Sequence, residues 1–299
     1  MVRLIFDGNF MAHRARHTTG RLRNGIAFGV LKSMFSICKR FETAEMIWVF
    51  DGGRSAKRIA MMPEYKADRG KVDNLFASQV TWLEHAIKSL GGPCFRYPGV
   101  EADDIIAVIA NDVADGTWDS SGEDDAVIVS SDKDFLQCIT QRISVFNPIK
   151  NELTTEENIE NWLGGEPVSR YLEVKSMIGD PSDSIPGIKG IGLKTAINSL
   201  KMFDNFESLP SSEFKGRMSV INEHESIVIL QRNHALMSLP LAFTNVDVPS
   251  PDDLVAYIQS ERKSTHLNLD DFTAWIQKSG MKSVNDKIDQ WTEFYGESK

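Results

Sequence analysis

The sequence predicts an α/β fold: a mostly parallel central sheet flanked by helices, with an α-helical region after it. Two observations carry this. In the first half, short apolar runs alternate with longer segments of helical period. After about Asn147 the strand signals fade, and helical patterns take over from Glu156. Strand–helix–strand alternation with Val- and Ile-rich runs marks a parallel sheet covered on both faces.

Taken in order, the candidate strands are Val2–Phe6, Met46–Phe50, Ala126–Ser130 and Ile143–Phe146. Between them, Ile26–Phe41, Asn74–Leu90 and Ala102–Val113 are periodic and long enough for helices. Asp115–Asp125 reads as a polar loop. The change of texture places a domain boundary near residue 165, giving regions 1–165 and 166–299. From about Pro251 the tail is polar and helical in pattern.

With 41% hydrophobic and 25% charged residues in 299, the composition excludes collagen, mucin and wholesale disorder. No uncharged apolar run approaches the ~18 residues of a membrane span. Val2–Phe6, broken by Arg3, is no signal peptide. Cys38, Cys94 and Cys138 are odd in number and widely spaced, which fits a reduced protein better than a disulfide framework or a zinc site. A cytoplasmic protein with no membrane partner is expected. The net charge of −9 is unevenly spread. Residues 1–40 hold eight Lys and Arg against Asp7 alone, and residues 54–71 hold six against Glu64 and Asp68. Such runs are commonly solvated faces; beside an acidic site they also suit a polyanion.

Acids follow three of the strands. Asp7 follows Phe6, Asp51 follows Phe50, and Asp132 lies just past Val129. One such Asp is commonly a turn former or helix cap. Three are harder to dismiss, because the carboxyl ends of strands in open α/β sheets form the ligand edge. Glu101, Asp103 and Asp104 open the Ala102–Val113 helix, where the dipole favours acids by about 0.3–1 kcal/mol each. Glu101 and Asp104 share a face and Asp103 turns aside, so ligands are offered in two directions. Asp134 can point back to the same edge. Two carboxylates about 6 Å apart repel by roughly 3 kcal/mol at an effective dielectric near 20. Divalent cations relieve that, and an all-oxygen shell suits Mg²⁺ or Mn²⁺.

The most specific segment runs from Met177 to Ala196. Gly187, Gly190 and Gly192 permit a tight turn and close backbone approach. Lys189, Lys194 and Thr195 add phosphate partners to the amides of the helix that follows. This Gly–apolar–Gly pattern with basic flanks is a helix–hairpin–helix, suited to gripping one duplex strand without reading bases. Asp180 and Asp183 lie just upstream, within reach of the acidic cluster.

These residues, with Pro63-Glu64-Tyr65-Lys66, Val129-Ser130-Ser131-Asp132-Lys133-Asp134, and Arg232-Asn233 leading to Leu239-Pro240, stand in family order along most of the chain. The chain resembles the flap endonuclease/5′–3′ exonuclease family, in particular its stand-alone bacteriophage-type members. The resemblance implies a PIN-like, resolvase-like core. It implies a first metal site around Asp7, Asp51, Glu101 and Asp103, and a second around Asp132, Asp134, Asp180 and Asp183, with Asp104 nearby. Asp51 and Asp132 are accordingly expected to be indispensable to catalysis. It also implies a helical arch entered at Tyr65, Lys66 and Arg69, with Arg58 ahead of it. Lys66 and Arg58 are then expected to act on the scissile phosphate. DNA contacts are expected from His13, Arg14 and the hairpin, and a monovalent cation in the hairpin loop. Removing the nine metal-site acids leaves 33 acidic against 33 basic residues, so the net charge is the metal site.

The implied activity is structure-specific 5′ nuclease action on branched, nicked or flapped DNA, and on RNA–DNA hybrids, by two Mg²⁺ or Mn²⁺ ions in replication or repair. A monomer is expected, intracellular (in the host cytoplasm if phage-encoded). Its length leaves no room for a polymerase, so a polymerase or single-strand-binding partner is expected to be separate. Three features depart from the family pattern. His13 stands where an aromatic ring is usual, Ser184 where Asn is usual, and the stretch from Tyr65 to Glu101 is short. Two other classes compete. A branched-DNA-binding protein with a decayed site predicts missing carboxylates, yet all nine are present. A DxD phosphatase using Asp132 and Asp134 predicts a following Gly-Thr or Gly-Val turn, yet Phe135 follows.

Overall fold

The computed structural model describes residues 1–22, 24–67, 74–118, 122–209, 212–241 and 251–297, the side chains of 251, 252 and 297 excepted. Six strands form the main sheet: β1 (Val2–Asp7), β2 (Met46–Val49), β3 (Cys94–Phe95), β4 (Asp125–Val129), β5 (Ile143–Asn147) and β6 (Glu152–Thr154). Their order is β3-β2-β1-β4-β5-β6. All pairings are parallel except β5 with β6. The chain winds outwards from β1 to β3, then crosses to β4 on the other side of β1. The strand order therefore reverses between β1 and β4, the place where open α/β sheets bind ligands.

Alternation of side chains fills both faces. Ile5, Ile47, Val49, Ile128 and Val145 enter one core with α5 (Ala102–Ala114) and the helical second region. Leu4, Phe6, Trp48, Val127, Val129 and Phe146 enter the other, with α2 (Gly25–Arg40) and α4 (Asn74–Ser89). The expected strands and helices all form, within a residue or two of their ends. Four further elements of the first region have no counterpart in the sequence pattern, among them the short α3 (Ala56–Met61). β3 has two residues, β6 is largely exposed, and α1 (Gly8–Thr19) is too polar to show a stripe. α1 starts directly off β1, capped by Asp7, whose Oδ1 accepts the Phe10 N–H at 2.9 Å.

The second region begins with α6 (Glu156–Trp162) and α7 (Tyr171–Ile178). A two-stranded hairpin, β7 (Gly179–Asp180) with β8 (Ile185–Pro186), leads to α8 (Leu193–Ser199) and α9 (His224–Met237). α10 (Pro251–Ser264) confirms a helical tail. α11 (Leu269–Ser279), α12 (Lys282–Asn285) and α13 (Ile288–Glu297) then return to the first region. Phe272, Ile276, Val284, Trp291 and Tyr295 share the core of α2 and α4. So the end of the chain braces the sheet rather than extending the hairpin region. Cys38, Cys94 and Cys138 are buried free thiols, and no described helix is long and apolar enough to cross a membrane.

Candidate active site: carboxylates at the reversal of strand order

The strand ends gather the acids as their positions suggest. Ser130, just past β4, donates its hydroxyl to Asp7 Oδ2 at 2.9 Å and accepts the Asp132 N–H at 3.1 Å. Asp51, past β2, accepts the Ala102 N–H at 3.0 Å and the Asn9 amide at 2.7 Å. One carboxylate thus ties β2 to the start of α5. Burial pushes the Asp7 carboxyl up to about 7, with the Asp51 and Asp132 charges adding to it. Burial also raises Asp103 well above the ordinary range, and Asp132, Asp7 and Asp51 raise it further against the pull of Lys66. Four carboxylates therefore repel one another at this edge.

Two lysines stand among the acids. Lys66 Nζ lies 2.8 Å from Glu101 Oε2 and 3.6 Å from Asp183 Oδ2. Lys175, on α7, lies 2.8 Å from both Asp134 Oδ1 and Asp180 Oδ2. Burial and the Asp132 charge push Asp134 up to about 6 despite Lys175. Asp180 is held low, its burial outweighed by Lys175 and Ser182. Among the described residues no three acids converge closely enough to hold an ion as they stand. The donor set nevertheless fits divalent cations. It is all carboxylate oxygen, and the raised Asp7 and Asp103 carboxyls are those a cation would return to the charged form.

Three of the expected site residues are engaged with partners inside the protein. Arg58, expected to act on the scissile phosphate, is 2% exposed and engaged inside the protein. Its Nη1 and Nη2 hold the Asp104 carboxylate at 2.6 and 2.9 Å, Nη1 also reaches Glu101 at 3.1 Å, and Nε donates to the Leu236 carbonyl at 2.8 Å. Asp104, expected near the metals, is completely buried and also takes the Leu241 N–H at 2.7 Å. It anchors the chain after α9 instead of facing the edge. Glu101, expected at the first metal site, accepts from Ser55 N–H, Tyr65 hydroxyl, Lys66 and Arg58. Lys66 and Arg58 outweigh its burial and hold its carboxyl low. Tyr65 and Lys66 are themselves buried, at 3% and 5%, and turned onto Glu101 rather than outwards.

The hairpin does present itself. Lys189, Gly190, Gly192 and Lys194 are exposed while Ile188 and Ile191 are buried beneath them. A Cβ at Gly187 would stand 2.3 Å from the Ile178 carbonyl oxygen, so only glycine fits there. Gly190 has φ +86°, with open space beyond. Thr195 lies in the first turn of α8 and is half-buried. Ser184 is left-handed at φ 62°, a conformation Asn adopts more readily. Asn233 stitches α9 to this hairpin, donating to the carbonyls of Ser176 at 3.0 Å and Pro186 at 2.8 Å. Arg14 is held by Ser33 and the Pro148 carbonyl. His13 is exposed and stacks on Phe76 at 4.5 Å. Arg69 lies outside the described residues, as does the rest of 68–73, where the arch is expected.

Comparison with known proteins decides the family. The family described as "5'-3' exonuclease, N-terminal resolvase-like domain" matches residues 2–164. Its companion, "5'-3' exonuclease, C-terminal SAM fold", matches residues 166–265. The chain belongs to the 5′–3′ exonuclease family. A 5′–3′ exonuclease of Buchnera aphidicola (strain APS) is 29% identical over 256 residues, covering 82% of this exonuclease and 87% of the relative. One from Aquifex aeolicus is 27% identical over 295 residues, covering 96% and 94%. Among solved structures, the T5 D15 flap endonuclease in a complex with DNA and metal ions superposes with a TM-score of 0.70 at 23% identity. That match covers 88% of this exonuclease and all of the T5 chain, and shows the shared fold.

Asn9, Ser130 and Lys175 also belong to this site, and sequence reasoning does not single them out. Asn9 and Ser130 lie within family motifs whose acids are the conspicuous residues. Lys175 gives no local sign; the turn of α7 into β7 brings it to Asp134 and Asp180.

Proposed function

We propose that this exonuclease is a structure-specific 5′ nuclease that hydrolyses phosphodiester bonds in flapped, nicked and otherwise branched DNA, and in RNA–DNA hybrids. The reading rests on one observation above all. Asp7, Asp51, Asp103 and Asp132 repel one another where the strand order reverses, and the exposed hairpin lysines lie on the region just beyond. Asp7, Asp51 and Asp103 with Glu101 form one prospective ligand group; Asp132, Asp134, Asp180 and Asp183 form the other. Two Mg²⁺ or Mn²⁺ ions held there would supply an activated water and charge stabilisation for the leaving oxygen. The chain's own part is to hold the phosphate and exclude misplacement. Ser130 and Asn9 fix Asp7 and Asp51, Lys66 brings an ammonium to the edge, and Lys175 sets Asp134 against Asp180.

The regions divide near residue 165 in this reading, the first carrying the carboxylates and the second the hairpin with its monovalent cation. It works in replication or repair as an intracellular monomer beside a separate polymerase or single-strand-binding protein. The direct test is a gel of end-labelled flapped, nicked and RNA-primed duplexes incubated with Mg²⁺ or with chelator. Metal-dependent products released from the 5′ side support the reading; intact substrate under every metal condition overturns it.

Two variants separate the roles. Lys189 and Lys194 replaced together by Ala should weaken duplex binding about equally for all sequences. The slope of log affinity against log salt should fall by roughly 1–2 units, about one for each phosphate no longer neutralised. Weakening confined to particular sequences contradicts backbone gripping. Lys66→Ala should slow single-turnover cleavage at saturating enzyme at least tenfold, since removing one preorganised donor costs about 100–1,000-fold in favourable cases. A saturated rate within about twofold of the parent removes Lys66 from the catalytic machinery and leaves it a structural partner of Glu101.

A further inference from the structure

A cavity of about 510 Å³ lies between Asp132 and Asp180 on one side and the start of α8 on the other. Its walls include two large apolar side chains that folding leaves uncovered: Trp162, 41% exposed, and Leu193, 42% exposed. Trp is highly buried on average, so an open indole in a concave site is informative. Trp162 is held in place on one side by the buried Tyr171 ring, 5.6 Å between centroids. It is an anchored ring, not a loose one. Lys133 is exposed in the lining, and Lys189 and Lys194, on the hairpin that carries Leu193, are exposed outside it. No ion pair holds any of these three among the described residues. The cavity therefore combines uncovered apolar side chains with Lys133, the carboxylates of Asp132 and Asp180, and Lys175 paired to Asp180, while Lys194 directly follows Leu193 on the hairpin.

That pattern matches one repeat of a nucleic-acid strand: phosphate, apolar sugar and base, phosphate. Resting on the nuclease reading above, we propose that Trp162 and Leu193 form a deoxynucleotide subsite on the duplex, between the phosphates gripped by the hairpin and the phosphate that is cut. A sugar and the edge of its base pack on the indole, while Lys133 and the hairpin lysines meet the flanking phosphates. The subsite sets the distance from grip to carboxylate centre, and hence the position of the cut. Trp162 and Leu193 are positioning residues here and touch no reacting atom.

The test uses the full chain with a nicked duplex bearing a 5′ flap, and with the flap strand alone. Binding is measured in EDTA, where nothing is cut, for the parent, Trp162→Ala, Trp162→Phe and Leu193→Ala, each checked for parental melting. Trp162→Ala should weaken duplex binding about fivefold to tenfold, the lower part of the range for removing an aromatic ring from a nucleotide. The salt slope should stay unchanged, because every phosphate keeps its cation. Trp162→Phe should hold within about twofold, Leu193→Ala should weaken binding in the same direction, and single-strand binding should not move. With Mg²⁺, Trp162→Ala should spread cleavage over neighbouring phosphates. Parental duplex affinity and cut position in Trp162→Ala overturn the subsite, as does an equal weakening for single strands. A parent that neither binds nor cuts the flapped duplex overturns the nuclease reading itself.

Discussion

Asp132→Asn and Asp51→Asn should each lower single-turnover cleavage of a 5′-flapped duplex by about 1,000-fold or more. A bound metal supplies several kcal/mol of transition-state charge stabilisation, and each ~1.4 kcal/mol is a factor of ten in rate. Binding should survive. Asp132 is exposed, and its carboxylate accepts the Asp134 N–H at 2.9 Å, a bond that an Asn carbonyl can keep. Asp51 is more deeply committed, with Asn9 and Ala102 as donors. Asp132→Asn is therefore the cleaner variant. Neither position touches Lys189 or Lys194, so anisotropy in EDTA should report an affinity within about threefold of the parent. Near-parental turnover in either variant contradicts the assignment of these acids to the metals.

The largest effect on stability should come from Arg58→Met. The substitution leaves Asp104 fully buried without its two guanidinium bonds, and the Leu236 carbonyl without its donor. Breaking one side of a buried ion pair typically costs about 3–5 kcal/mol. For a chain of this size that corresponds to a melting temperature lower by roughly 6–15 °C. Arg58→Met combined with Asp104→Leu should recover part of the loss, because no charge is then left unpaired. Thermal melts followed by circular dichroism in chelator read the difference. A shift under about 2 °C contradicts the structural role and returns Arg58 to consideration as a phosphate ligand.

The contrast between Arg58 and Asp132 marks how far the sequence can be read. Asp7, Asp51 and Asp132 are legible because a strand's end fixes where the next residue sits, and three such ends define an edge. The glycine hairpin is legible because Gly187 meets the Ile178 carbonyl and Gly190 takes a positive φ, demands written in residue type. The burial of Arg58 is not legible because the residue stands in a basic run, which looks like a solvated face until Leu236 and Ser238 close over it from the end of α9. Those two partners lie 178 and 180 residues away, so no local pattern carries the pairing. Lys175 is the same case in reverse. It reads as an ordinary helical lysine, and only the packing of α7 beneath the strand edge sets it between two acids. β3 and β6 escape because two or three residues cannot display a period.

The central claim is that the acids at the β1–β4 reversal form the metal centre. It is tested most directly by crystals grown with Mn²⁺ and measured for anomalous scattering. Two anomalous peaks are expected, one among Asp7, Asp51, Glu101 and Asp103, the other among Asp132, Asp134, Asp180 and Asp183, and the second should be absent in Asp132→Asn. Crystals in which Mn²⁺ binds elsewhere, with Lys66 and Lys175 still seated among those carboxylates, would contradict it.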